Sequence, residues 1–139
     1  MKNWILTAAG AVGGFISYIF GGWNAALTTL VIFMIVDYIT GIIVAAVFHK
    51  SPKTATGGLE SRAGFKGFIR KCVMLVFVLI GYRLDIISGA GFIRDSLCIG
   101  FIANELISIV ENAGLMGIPL PKVINQAIDI LNRKSEDHE

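Results

Sequence analysis

Hydrophobic positions fall into four long runs, and the way each run is interrupted predicts how it behaves. The first, Ile5 to Gly22, has a tryptophan at each end, Trp4 and Trp23. As a helix it rises roughly 27 Å, close to the ~30 Å hydrocarbon core of a bilayer, and the two indoles suit the two interfaces. Lys2 before an apolar run is also the layout of a secretory signal peptide. The run is longer than the usual core of such a signal and lacks a small-x-small site before Trp23, so a retained helix over 5–22 is expected. Gly10, Gly14, Ser17 and Gly21 are spaced four, three and four apart and share one face, a small-residue stripe that suits close helix contact in lipid.

The second run predicts a helix over 25–48 and carries Asp37 near its midpoint. A carboxylate there costs about 2.5–3.5 kcal/mol on insertion scales, so it should face a partner or water. Gly22-Trp23-Asn24 joins the two helices as a tight antiparallel hairpin. The third run, 72–93, is interrupted by Arg83 and Asp85. These two lie on different helix faces, so either Arg83 pairs with Asp37 on the neighbouring helix or both sit at a flared, wet end of the third helix. Arg94-Asp95 reads as a short turn.

The fourth run, 96–112, is amphipathic. Asn104, Glu105, Ser108, Glu111 and Asn112 form one polar stripe, with Gly114 placed as the stop. Such a helix either lines water or lies flat on the membrane. After Pro121 a short amphipathic helix presents Val123, Ile124, Ala127, Ile128 and Leu131 on one face. The expected fold is all-α: an integral membrane bundle over 1–118 with four membrane helices, or three spanning and one interfacial. A C-terminal amphipathic helix and charged tail occupy 119–139.

Composition agrees with lipid as the solvent. Of 139 residues 55% are hydrophobic and 16% charged, against about 25% charged in soluble domains. The net charge of +2 matters less than where it sits. Six of the twelve Lys and Arg (Lys50, Lys53, Arg62, Lys66, Arg70, Lys71) fall in 49–71, with Glu60 as the one acid. Between apolar runs this predicts a cytoplasmic basic loop rather than a nucleic-acid site. Phe65, Phe68 and Ile69 interleaved with Lys66, Arg70 and Lys71 suit an anionic membrane surface. The N-terminus is then cytoplasmic, and so is the C-terminus if the fourth run spans.

Enzyme chemistry has no foothold. There is no Ser-His-Asp set, no phosphate-cradling glycine loop and no His/Cys metal spacing. Cys72 and Cys98 sit alone in apolar runs as filler. His49 stands at a helix end and His138 in the tail. No cofactor or metal is expected.

Four ordered segments resemble one family. They are Asp37-Tyr38-Ile39-Thr40-Gly41; Gly64-Phe65-Lys66-Gly67 with Arg70-Lys71; Leu84-Asp85; and Ala103-Asn104-Glu105 through Ser108, Glu111-Asn112 and Gly117-Ile118-Pro119-Leu120-Pro121. In this order they resemble the phage holins grouped with the toxin-secretion holins of clostridia. The resemblance implies a homo-oligomer in the bacterial cytoplasmic membrane that opens lesions for a co-encoded endolysin, without binding it, or assists toxin release. Some holins are timed by paired start codons. The next methionine here is Met34, which leaves timing by a separate antiholin open. Rival readings are a non-lytic channel or transporter subunit and a membrane adaptor. No internal repeat supports a transporter, and an adaptor leaves the intramembrane acids unexplained.

Overall fold

In the computed structural model, which describes residues 2–137, the chain is five helices, and among the described residues there is no strand. They are α1 (Lys2–Ile19), α2 (Ala25–Ala46), α3 (Ser61–Ser88), α4 (Ile93–Leu115) and α5 (Lys122–Glu136). His138 lies outside the described residues.

Helix ends are set by local chemistry. Gly21 and Gly22 adopt left-handed backbone, at φ of 80° and 91°. Gly22 N–H donates to Ser17 O and Gly21 N–H to Tyr18 O, closing α1 with a Schellman motif. Two residues on, the Asn24 side chain accepts from Leu27 N–H and caps α2. The connection is as short as the sequence implies, but α1 buries no residue and does not pack along α2, so the expected antiparallel hairpin is corrected to a tight turn between two splayed helices. Gly117 ends α4 in the same way as Gly21 ends α1, with Ile118 N–H donating to Ala113 O. The expected stop at Gly114 is thus corrected by one turn, and α4 runs on to Leu115.

Two further boundaries differ from expectation. The third helix does not start at 72. It starts at Ser61, so Arg62, Lys66, Arg70 and Lys71 sit on a 28-residue helix and the connecting segment shrinks to 47–60. Gly64 and Gly67 read as loop residues, yet both lie against Tyr38, whose hydroxyl donates to Gly64 O at 3.2 Å. The glycines permit close helix contact, and packing outweighs their low helix propensity. Likewise Arg94-Asp95 is not a turn. The turn is Gly89 to Phe92, and Arg94 and Asp95 lie in the first turn of α4.

α4 is the hub, packed against α2, α3 and α5. The core between α2, α3 and α4 is Leu27, Leu30, Met34, Val78, Cys98 and Ile102, closed at one end by Phe20. α5 returns antiparallel along α4, resting Ile124, Ala127, Ile128 and Leu131 toward it, and Ser135 Oγ donates to Ser96 O. Val123 of the expected face is exposed. α1 buries no residue.

Outward faces are apolar over long stretches, for example Ile32, Ile35 and Ile39 on α2 and Val73, Val76, Phe77 and Ile80 on α3. A water-soluble monomer seldom exposes patches of this extent. By length and composition α2 is long and apolar enough to cross a membrane, and it is the one helix among the described residues that meets both criteria.

Candidate functional site

Asp37 and Glu105 are each 5% exposed, deep between helices. A buried carboxylate requires a counter-charge or donors. Both find the same one. Lys71 Nζ donates to Asp37 Oδ2 at 2.6 Å and to Glu105 Oε2 at 2.5 Å. Asn112 then completes the shell of Asp37. Its Nδ2 donates to Asp37 Oδ1 at 3.0 Å, Asp37 O at 3.2 Å and Thr40 Oγ1 at 2.8 Å. The network thus ties α2, α3 and α4 together with charge-assisted bonds, which are stronger than neutral ones.

Helix geometry puts these groups in one layer. Glu105 and Asn112 are seven residues apart, two turns along one face of α4. Asp37 and Thr40 are three apart on α2. Lys71 belongs to a stripe on α3 made of Gly64, Gly67, Lys71, Met74, Val78 and Gly81, all buried or half-buried. A cavity of about 200 Å³ reaches from the 47–60 loop to this layer. Ser51, Pro52 and Thr54 line it on one side and Asp37, Lys71 and Glu105 on the other.

The expected partner of Asp37 is therefore corrected. Arg83 sits three turns further along α3, exposed, and Lys71, expected on a surface loop, is the counter-ion. Asp85 has a different job: Oδ1 accepts from Ile93 N–H and Oδ2 from Arg94 N–H, so it caps α4 from the end of α3. The polar stripe of α4 divides. Glu105 and Asn112 turn inward, Asn104 and Ser108 border the cavity, and Glu111 is exposed. Lys50 and Lys53 remain on the loop, while Arg62, Lys66 and Arg70 are exposed on α3.

The small-residue stripe also divides. A Cβ at Gly10 or Gly14 would meet nothing within 4 Å, and Ser17 is half-buried. A Cβ at Gly21 would overlap the Tyr82 ring at 2.2 Å, so Gly21 serves contact within the chain.

A second polar cluster, at the other end of the bundle, escaped the sequence reading. Arg94 Nη1 donates to Phe20 O, Gly21 O and Gly22 O, at 2.8, 3.0 and 3.2 Å, placing a cation on the carbonyls of the turn that follows α1. Its guanidinium also stands 5.9 Å from the Tyr82 ring centroid and pairs with Asp95. Asn24 Nδ2 donates to Asp95, joining the starts of α2 and α4.

An all-α chain with apolar outer faces and an ion network at mid-helix is built as a helical membrane protein. More particularly, residues 14–133 match the bacteriophage holin family, and the chain belongs to that family. It is 36% identical to an uncharacterized protein of Halalkalibacterium halodurans, covering 94% of this chain and 96% of the relative. It is 34% identical to an uncharacterized 14.9 kDa protein encoded in the nagH 3′ region of Clostridium perfringens, covering 95% and 96%. A probable holin of Bacillus phage phi105 is 28% identical over 86% of this chain and 83% of its own length. No solved structure matches the chain.

Proposed function

We propose that this chain is a holin that oligomerises in the bacterial cytoplasmic membrane and opens lesions through which an endolysin escapes, rather than an enzyme. The supporting observation is the Asp37–Lys71–Glu105–Asn112 network. Two acids and a base inside apolar helices are an expensive arrangement, and the fold hides them from lipid within one subunit. In the dispersed protein Glu105 is held by Lys71. In the assembled protein the same face of α4 lines water, and only apolar faces touch lipid. The exchange replaces an internal counter-ion with hydration.

The topology that goes with this reading has α1, α2, α3 and α4 in the membrane and α5 beside α4. The 47–60 loop and the basic start of α3 are cytoplasmic by the positive-inside bias. Both termini then share that side.

The test is inducible expression in a bacterium with and without a cytoplasmic endolysin, following culture density and release of a large cytosolic reporter enzyme. Growth arrest alone, with lysis and reporter release once endolysin is present, is the expected result. Depolarisation without endolysin passage would replace the reading with a small ion channel. Normal growth in both cultures would sink it.

A further inference from the structure

α5 sorts its residues sharply by face. Ile124, Ala127, Ile128, Leu131 and Ser135 are half-buried, and every other described residue of the helix is exposed. Lys122, Gln126, Asp129 and Arg133 fall at i, i+4, i+7 and i+11, so they form one stripe on the side turned away from Leu131. Among the described residues no ion pair or side-chain hydrogen bond engages any of the four. The acids around Lys71 are satisfied inside the subunit. This stripe is not.

The seat of α5 sets the depth of the stripe. Leu131 packs against the core of α2, α3 and α4, and Ser135 Oγ donates to Ser96 O near the start of α4. A Cβ at Gly100 would come within 3.1 Å of Ser135 Oγ. The 15 residues of α5 rise roughly 22 Å, so the stripe runs beside α4 for most of a hydrocarbon depth of ~30 Å. On α4, Asn104 and Glu111 share the face of Gly100, four and eleven residues on, and both are exposed. They border the seat of α5 and widen its polar side. The outer faces of α2 and α3 are apolar instead. The subunit therefore has one side that lipid accepts and one, at the same depth, that only water or another polar surface accepts.

We propose that α5 stays seated on α4 and forms the wall of the lesion, with Lys122, Gln126, Asp129 and Arg133 facing its water. Given lesion formation, on which this rests, α5 of each subunit points inward, and α2 and α3 point out to lipid.

Purified full-length protein in vesicles of phosphatidylglycerol and phosphatidylethanolamine, loaded with a fluorescent dextran of protein size, reports lesions as dextran release. Gly100→Cys with Ser135→Cys, on a Cys72→Ala and Cys98→Ala background, locks α5 to α4 on oxidation, across a spacing that a disulfide can bridge. Release by the locked protein should stay within about twofold of that after reduction with dithiothreitol. Release lost on oxidation and regained on reduction would mean that α5 must leave α4, and would overturn the wall. Gln126→Leu with Asp129→Leu should lower release at least about tenfold, because the wall then repels water. The disulfide should still close in that variant, which shows α5 seated. Unchanged release would overturn the wall. Asp129→Cys on the same background should react with a membrane-impermeant maleimide as readily in leaking vesicles as in detergent. Protection would place the stripe in a contact between subunits and overturn the wall as well. No release by the parent protein would instead sink lesion formation, and the wall with it.

Discussion

α1 and α2 are apolar helices of 18 and 22 residues joined by a short turn, yet they occupy the molecule differently. α2 buries Leu27, Leu30, Met34, Asp37, Val44 and Ala45, while α1 buries nothing. Apolar character does not separate them. What α2 has and α1 lacks is a polar group that only a neighbour can satisfy. Asp37 is met inside the bundle by Lys71 on α3 and Asn112 on α4. α1 is held instead at its end, by Arg94 on three carbonyls and by Gly21 beneath Tyr82.

The sharpest way to break this contrast is Lys71→Ala, which leaves two buried acids without their cation. Loss of one partner in a buried pair costs about 3–5 kcal/mol, so thermal unfolding in detergent should fall steeply or folded protein should be lost. Unchanged stability would show that the network does not organise the bundle. Next is Asn112→Ala, which strips Asp37 of a donor and should cost about 1–3 kcal/mol in the same assay.

Arg94→Gln tests the tether of α1. A cation at a helix C-terminus contributes about 0.3–2 kcal/mol, and faster hydrogen exchange confined to the Ile19–Trp23 segment is the expected signature. Exchange that rises equally in α2 would contradict a local tether. Gly10→Leu with Gly14→Leu should leave stability within about 0.5 kcal/mol, because neither position touches anything in the monomer. Cysteine crosslinking between copies in the membrane should nevertheless change if that face mediates assembly.

A last comparison sets Glu105 against Glu111 on lysis timing. Replacing Glu105 with Leu should delay or abolish lysis, whereas Glu111→Leu, at an exposed position, should shift it less. Equal timing in both variants and in the parent protein would remove these acids from the proposed assembly.

Much of this architecture is legible in the sequence, and the failures share a cause. The start of α2, its buried acid and the inward turn of Glu105 follow from periodicity and the cost of charge, but the same argument turns Arg83 and Glu111 inward, and both are exposed. Lys71 ends a cluster of basic residues, and that composition points to the surface. The stripe from Gly64 through Lys71 to Gly81 crosses that apparent boundary, and tracing its three- and four-residue steps leads straight to the lysine. The roles of Asp85 and Arg94 are hidden for a related reason. Each serves a helix other than its own, and no local pattern carries that information.

The shared ammonium has a mechanical consequence. One short, directional anchor joins acids on two helices to a third, and a helix advances about 1.5 Å per residue. A slip of one turn, about 5.4 Å, by any of the three would pull a carboxylate out of reach. Lys71 therefore acts as a register pin, fixing the relative depth of α2, α3 and α4 along the bundle axis where smooth apolar surfaces alone would let them slide.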